Sequence, residues 1–252
     1  FYNCYNLQNI DLPDSLIVIQ SHAFYSCTNL QKVNFPYSLR GIAIYTFYSC
    51  NSLQEANLTR IANIDSNSFE ECTSLQKVIF SESMWSIRSE AFKSCYNLRE
   101  VIFPKTLQVL EYGAFQFCKS LYGELVLPSI MESVPNNAFQ GCSNLTSIKL
   151  SNTITSLGEY CFSGCESLQG TLNLSQIITI GNYSFENCKQ ISYILFNNSL
   201  SVIGKYAFQK CHNLKNLILP EDLNTIDNYS FYGCIGITSI KFSEKLDRIN
   251  GF

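Results

Sequence analysis

Phe-x-x-Cys recurs eleven times in this chain at a nearly constant interval. The pairs run from Phe1/Cys4 and Phe24/Cys27 to Phe231/Cys234, and successive cysteines stand 22 to 24 residues apart. A fixed period in this range specifies a solenoid, because one repeat cannot bury its apolar side alone and packs only on its neighbours. No linker or low-complexity stretch separates the copies. One elongated body over 1–252 is therefore expected, where 252 residues would otherwise suggest one or two globular domains.

The copy that starts at Cys27 places apolar residues at Leu30, Val33, Phe35, Leu39 and Ile42 before Thr46-Phe47 opens the next. The copy at Cys95 gives Leu98, Val101, Phe103, Leu107 and Leu110, then Ala114-Phe115. The L-x-x-I-x-L run is a leucine-rich-repeat strand pattern, and its last two apolar residues alternate as a half-buried strand requires. Proline follows the strand at Pro13, Pro36, Pro104, Pro128 and Pro220. Lacking a backbone donor, it suits the place where strand pairing stops. The second apolar pair, Leu39/Ile42 and its equivalents, lines an opposite wall. The Ala/Ser-Phe-x-x-Cys segment reads as a short helical or 3₁₀ turn that brings the chain back to the next strand. The expected fold is a β-solenoid of about eleven repeats, with a parallel sheet on one side and short strand or 3₁₀ turns on the other. Strands stacked about 4.8 Å apart make it roughly 50 Å long.

The string A/S-F-x-x-C-x-x-L-x-x-I-x-L-P-x-x-L-x-x-I, carried through essentially all residues, resembles the BspA-like, or Treponema-pallidum-type, leucine-rich repeats of bacterial and protozoan surface proteins. The resemblance implies a non-catalytic module for protein binding and cell adhesion, at the cell surface or outside the cell. An intracellular place stays open. The chain begins inside a repeat at Phe1 and closes at Phe252 just before another Phe-x-x-Cys falls due, so it reads as a piece of a longer protein.

Composition narrows the partners. The net charge is −3 and no Lys/Arg run occurs, which argues against nucleic acid and anionic membrane, since both need a basic patch. No apolar run is long enough to span a bilayer, so direct membrane insertion of this segment is not expected. Eleven of the twelve cysteines share one slot. Stacked there with parallel Cα–Cβ vectors, neighbours hold their Cβ atoms farther apart than the roughly 3.8 Å a disulfide prefers, so buried free thiols are expected. Cys161 fills the small-residue slot of Ala23, Ala91, Ala114 and Ser68, and with Cys165 makes one close pair that has no histidine to complete a zinc set. Six N-x-S/T sequons, at Asn57, Asn144, Asn173, Asn182, Asn197 and Asn228, exceed the roughly four that chance gives so little that they say almost nothing of glycosylation.

Catalytic chemistry is not apparent. The two histidines, His22 and His212, lie eight repeats apart, and His22 takes a slot filled elsewhere by Tyr45, Tyr160, Tyr183, Tyr206 and Tyr229, where an exposed ring is expected. Gly158, Gly181 and Gly204 keep the repeat beat and read as turn glycines, outside any phosphate-binding pattern. Glu70-Glu71 and Glu221-Asp222 fall on turn phases and read as solvated. No enzyme, cofactor or metal is expected.

The outward strand positions remain. Gln8, Gln31, Gln54 and Gln76 form a row suited to an amide ladder, and Lys32, Glu55, Lys77 and Glu100 alternate in sign. The third row is unusual: Ile79, Ile102 and Val126 make one apolar strip and Leu195 with Ile218 a second, adjoined by Tyr122 and Tyr193. Exposed apolar strips with aromatic anchors mark interaction sites, although β-branched residues also simply suit strands. One-residue insertions at Gly123-Glu124 and Gly170-Thr171 should bulge each strand beside the strips. Two functions follow: a module presenting this face to a protein or glycan, or a scaffold in which solenoid ends stack into a filament or coat. Should the face not bind, the stacked tyrosines at Tyr160, Tyr183, Tyr206 and Tyr229 are the next candidate.

Overall fold

The computed structural model describes residues 1–251; Phe252, the last residue of the expected domain, lies outside them. Each repeat makes one coil of a β-solenoid, with every strand pairing parallel. The L-x-x-I-x-L segment supplies the front wall, where alternation is plain: Glu55–Leu58 reads exposed, buried, exposed, buried. The back wall is built from two-residue strands such as Gly41–Ile42, Asn63–Ile64 and Ser86–Ile87, each sinking one aliphatic side chain. These back strands form one four-stranded and one six-stranded sheet, whereas the front wall divides into five separate strand pairs. The front is thus the less regular wall.

The segment around each Phe is a run of tight turns, and no helix occurs among the described residues, which corrects the expected helical or 3₁₀ piece. Two residues flanking the Phe are left-handed, as at His22 (φ 62°) and Ser26 (φ 53°) around Phe24, and such residues stop a right-handed helix from continuing. Among the described residues, seventeen non-glycine residues take this conformation. Each costs on the order of 1 kcal/mol, so something must hold them. In nine successive repeats, Phe24 through Phe208, three N–H groups point at the next coil: the residue two before the Phe, the Phe itself, and the residue two after. In one copy Tyr45 donates to Ser66 O at 3.2 Å, Phe47 to Ser68 O at 2.8 Å and Ser49 to Glu70 O at 2.8 Å.

Side chains reinforce the same column. The eleven phenylalanines stack face to face in one file, with neighbouring centroids 5.2 to 5.7 Å apart and planes within 13°. Beside them the repeat cysteines are all free, and from Cys27 to Cys234 each thiol donates to the carbonyl of the preceding coil's Phe, as Cys50 Sγ does to Phe24 O at 3.2 Å. The slot therefore selects a donor as well as a small apolar side chain. Cys4 departs from the expected buried ladder and is exposed; Cys161 is fully buried in its small-residue slot. Gly158, Gly181 and Gly204 are present for space and not for turn conformation: a Cβ on Gly181 would sit 2.7 Å from the backbone of Gly158.

Two predictions follow from this column. Phe115 is fully buried between Phe92 and Phe139, whereas Phe231 is half-buried and meets only Phe208 in the file. Phe115→Ala should cost about 3–5 kcal/mol in urea unfolding and Phe231→Ala clearly less; equal losses would contradict a linear stack. Burial also pushes ten thiols above their usual 9.0, Cys142 to about 12. Raised values favour the fold below the unfolded value and cease to do so as pH climbs past it. One pH unit above it, each buried thiol removes about 1.4 kcal/mol. Circular dichroism should show cooperative alkaline unfolding between about pH 9 and 11, and a fold intact at about pH 12 would refute the ladder.

Candidate partner-binding surface

The front wall breaks where the extra residues lie. Leu145 pairs with Gly123 and Ser147 with Glu124, leaving Thr146 unpaired, and Gly170↔Ile191 is followed by Thr171↔Tyr193, leaving Ser192 unpaired. Gly123 (φ 83°) and Gly170 (φ 74°) supply the left-handed kinks, in open space where a Cβ would meet nothing. The register breaks at both insertions as expected, but the residue left unpaired lies on the following coil's strand and not on the strand that carries the insertion. At the first, Val101–Phe103 forms no strand pairing with Gly123–Val126, and the residue before it, Glu100, makes an isolated bridge to Lys77.

A groove of about 560 Å³ occupies this seam. Its floor includes Val101, Phe103, Leu125 and Leu127, and its walls carry Ile102, Tyr122 and Val126. Ile102 is 73% exposed, Tyr122 60% and Val126 49%, so these side chains do lean into solvent as the strand phase requires. Phe103 is half-buried beneath them, meeting Phe115 and Phe139 edge-on at 5.5 and 6.4 Å. Glu100 and Glu124 also line the groove, together with Lys105 and Lys149. Both signs of charge thus stand beside an apolar floor.

The other expected residues divide. Ile79 is half-buried and lines a different hollow with Arg40 and Arg60, so it does not share the groove. Tyr193, Leu195 and Ile218 are exposed on the front wall, beyond Lys149 and Asn173. The tyrosine column at Tyr160, Tyr183, Tyr206 and Tyr229 is stacked at 4.4 to 4.8 Å with planes within 9°, which turns the ring faces on each other and leaves mainly edges for a ligand. His22 is half-buried and stacked on Tyr45 at 5.0 Å, where a free exposed ring was expected.

Other side chains depart from expectation because neighbouring coils reach them. The glutamine row is joined through the backbone, Gln31 N–H to Gln8 O at 2.8 Å and Gln76 N–H to Gln54 O at 2.9 Å, with no amide ladder among the described residues. Of the alternating charges, Lys77 and Glu55 pair, at 4.0 Å. Glu70 is buried instead of solvated: Lys93 Nζ lies 3.1 Å from it and 2.8 Å from Glu90, and Asn67 Nδ2 donates to it at 2.6 Å. Burial pulls the Lys93 ammonium down, but the hydrogen bonds it donates to Glu90 and Glu70 outweigh this and hold it above the usual lysine range. Asn182 donates to Glu159 at 2.8 Å and accepts the Lys205 N–H at 2.9 Å, so that sequon amide is already engaged.

No group of three or more potential metal ligands occurs among the described residues, and no helix there is long and apolar enough to cross a membrane. The model of the BspA type leucine-rich repeat region matches residues 1–122 and 132–252 in six copies, passing over 123–131, the stretch that forms one side of the groove. No curated protein matches the chain. Among solved structures it is similar to the T. pallidum leucine-rich repeat protein (22% identity, 82% of this chain and 78% of that one, TM-score 0.51). It is also similar to a leucine-rich repeat protein from Eubacterium ventriosum (13%, 97% and 87%, TM-score 0.52). At these identities the likeness shows the fold. With the repeat matched over nearly its whole length, the chain belongs to the BspA-type leucine-rich repeat proteins.

Proposed function

We propose that this solenoid is a non-catalytic binding module of a surface protein and that the groove around Ile102, Tyr122 and Val126 receives a protein partner. The observation that carries the reading is the coincidence of three departures at one place. The family model passes over 123–131, where one extra residue stands in the strand, strand pairing fails beside Val101–Phe103, and exposed apolar side chains gather over the gap. Leucine-rich repeats are interaction modules that use an extended face, and a local break in an otherwise uniform face distinguishes one part of it. Tyr122 is an aromatic anchor of the kind that dominates interface energetics. Lys105 and Lys149, with Glu100 and Glu124, match a polypeptide that carries charges of both signs around an apolar residue. Tyr193, Leu195 and Ile218 extend the surface for a larger partner.

A displayed library of short peptides panned on the purified solenoid tests this. Enriched sequences should hold an apolar core, and Ile102→Asp or Val126→Asp should weaken them at least about 30-fold, since an interface would bury the new charge unpaired. Lys205→Ala, on the exposed turn side, should change nothing. Both Asp variants should keep the wild-type melting temperature because the side chains they replace face water. Failure of any peptide to enrich, or equal binding by the folded Asp variants, overturns the assignment.

A further inference from the structure

The third repeat is the shortest, with 22 residues from Cys50 to Cys72. Its missing residue belongs to the turn after the strand. Neighbouring turns run through four residues, Pro36–Leu39 and Ser81–Met84, where the third repeat has only Thr59, Arg60 and Ile61. In full turns a hydroxyl bridges back to two carbonyls of the coil before. Ser38 Oγ donates to Asp14 O and Leu16 O (2.6 and 2.7 Å), and Thr106 Oγ1 to Glu82 O and Met84 O (both 2.8 Å). Thr153 Oγ1 does the same to Ser129 O and Met131 O (2.9 and 2.8 Å). Ser83 holds the same slot, but the shortened turn stands before it, and its hydroxyl lies instead 2.8 Å from Ser81 Oγ. The eighth repeat is shortened alike at Ser175, Gln176 and Ile177, and Ser199 after it makes no such bridge among the described residues. Shortening therefore removes a rung.

In the third repeat the gap is a notch of about 500 Å³, lined by Arg40, Arg60, Thr59, Ser81, Ser83 and Glu82, with Ile79 and Phe80 behind. The Arg60 guanidinium lies over the Tyr37 ring at 4.0 Å and that of Arg40 at 5.9 Å from the same centroid. Arg40 Nη1 donates to Arg60 O at 3.4 Å. Neither arginine forms an ion pair among the described residues, with Glu82 or any other carboxylate. Two like charges are thus held together on one ring, with no internal counterion and one carboxylate nearby. The eighth repeat's equivalent turn carries Gln176 and no arginine.

We propose that this notch binds a tetrahedral oxyanion, the sulfate or phosphate ester of a small molecule or saccharide. Guanidinium forks match such oxygens in bidentate fashion, and being always charged they need no proton to do so. A planar carboxylate is satisfied by one fork; two forks with the Thr59, Ser81 and Ser83 hydroxyls suit an anion with oxygens in three dimensions. The site is separate from the front-wall groove, with which it shares no lining residue.

The test is an amide chemical-shift titration of the intact chain with sodium sulfate, sodium phosphate, glucose 6-sulfate, glucose 6-phosphate and sodium acetate, at ionic strength fixed with chloride. Both inorganic oxyanions should produce saturable shifts confined to Arg40, Thr59–Ile61 and Ser81–Ser83, half-complete at about 1–10 mM. The sugar esters distinguish the source: tighter binding by one of them identifies a saccharide, and equal binding identifies the free anion. Acetate should bind at least tenfold more weakly. Arg40→Ala and Arg60→Ala should each weaken sulfate at least tenfold, Lys205→Ala should not, and one serine inserted between Thr59 and Arg60 should abolish binding with both arginines retained. Melting temperatures check each variant, and the arginine variants decide alone if the insertion does not fold. Shifts that never saturate, or that persist in the folded arginine variants, overturn the proposal.

Discussion

Every coil of this solenoid is tied to the next through one column, the turn that contains the repeat's Phe and Cys. Stacked rings, a thiol that donates to the preceding Phe carbonyl, and three parallel backbone bonds coincide there. The same turn contains the left-handed residues, which are individually unfavourable and persist because neighbouring coils hold them. Strain and its remedy thus repeat together. This coupling explains why the period stays so constant around Phe and Cys while other positions vary.

Concentrating cohesion on one side leaves the rest of the coil free to change length. The 24-residue repeat widens the Phe115–Phe139 contact only to 5.7 Å, and the 22-residue repeat leaves Phe47–Phe69 at 5.3 Å. Added and missing residues are taken up on the front wall and in the turn that follows it. One produces the groove beside Gly123, the other the notch at Arg60. Departures from the repeat therefore create local surface chemistry on an otherwise uniform body, without disturbing the column that carries stability.

Periodicity made the solenoid, its buried faces and the thiol ladder legible, because each depends on a residue type recurring at one phase. The register breaks were legible too, since an extra residue is visible against the nine copies that lack one. What could not be read was anything set by contact between coils. Glu70 looks solvated until Lys93, one coil on, is placed beside it, and Arg40 and Arg60 look unrelated until the missing turn residue brings them to one ring. The turn conformation was also hidden. Its left-handed positions carry Tyr, Ser, Asn, Glu and Lys as well as Gly, so no single residue type announces them. Aligning the copies and asking which slots tolerate Gly in some repeats, as at Gly113, Gly141, Gly164 and Gly233, would have exposed them.

Native-state hydrogen exchange tests the central claim most directly, because it reads the free energy of opening at each backbone bond. If cohesion resides in the turn column, the amides of Phe47, Phe69, Phe92 and Phe115 exchange only through global unfolding. Those of Val101, Ile102 and Phe103, where no strand pairing forms, then exchange through local opening orders of magnitude faster. Front-wall amides as protected as the turn-side phenylalanines, or phenylalanine amides that open locally, would contradict the account.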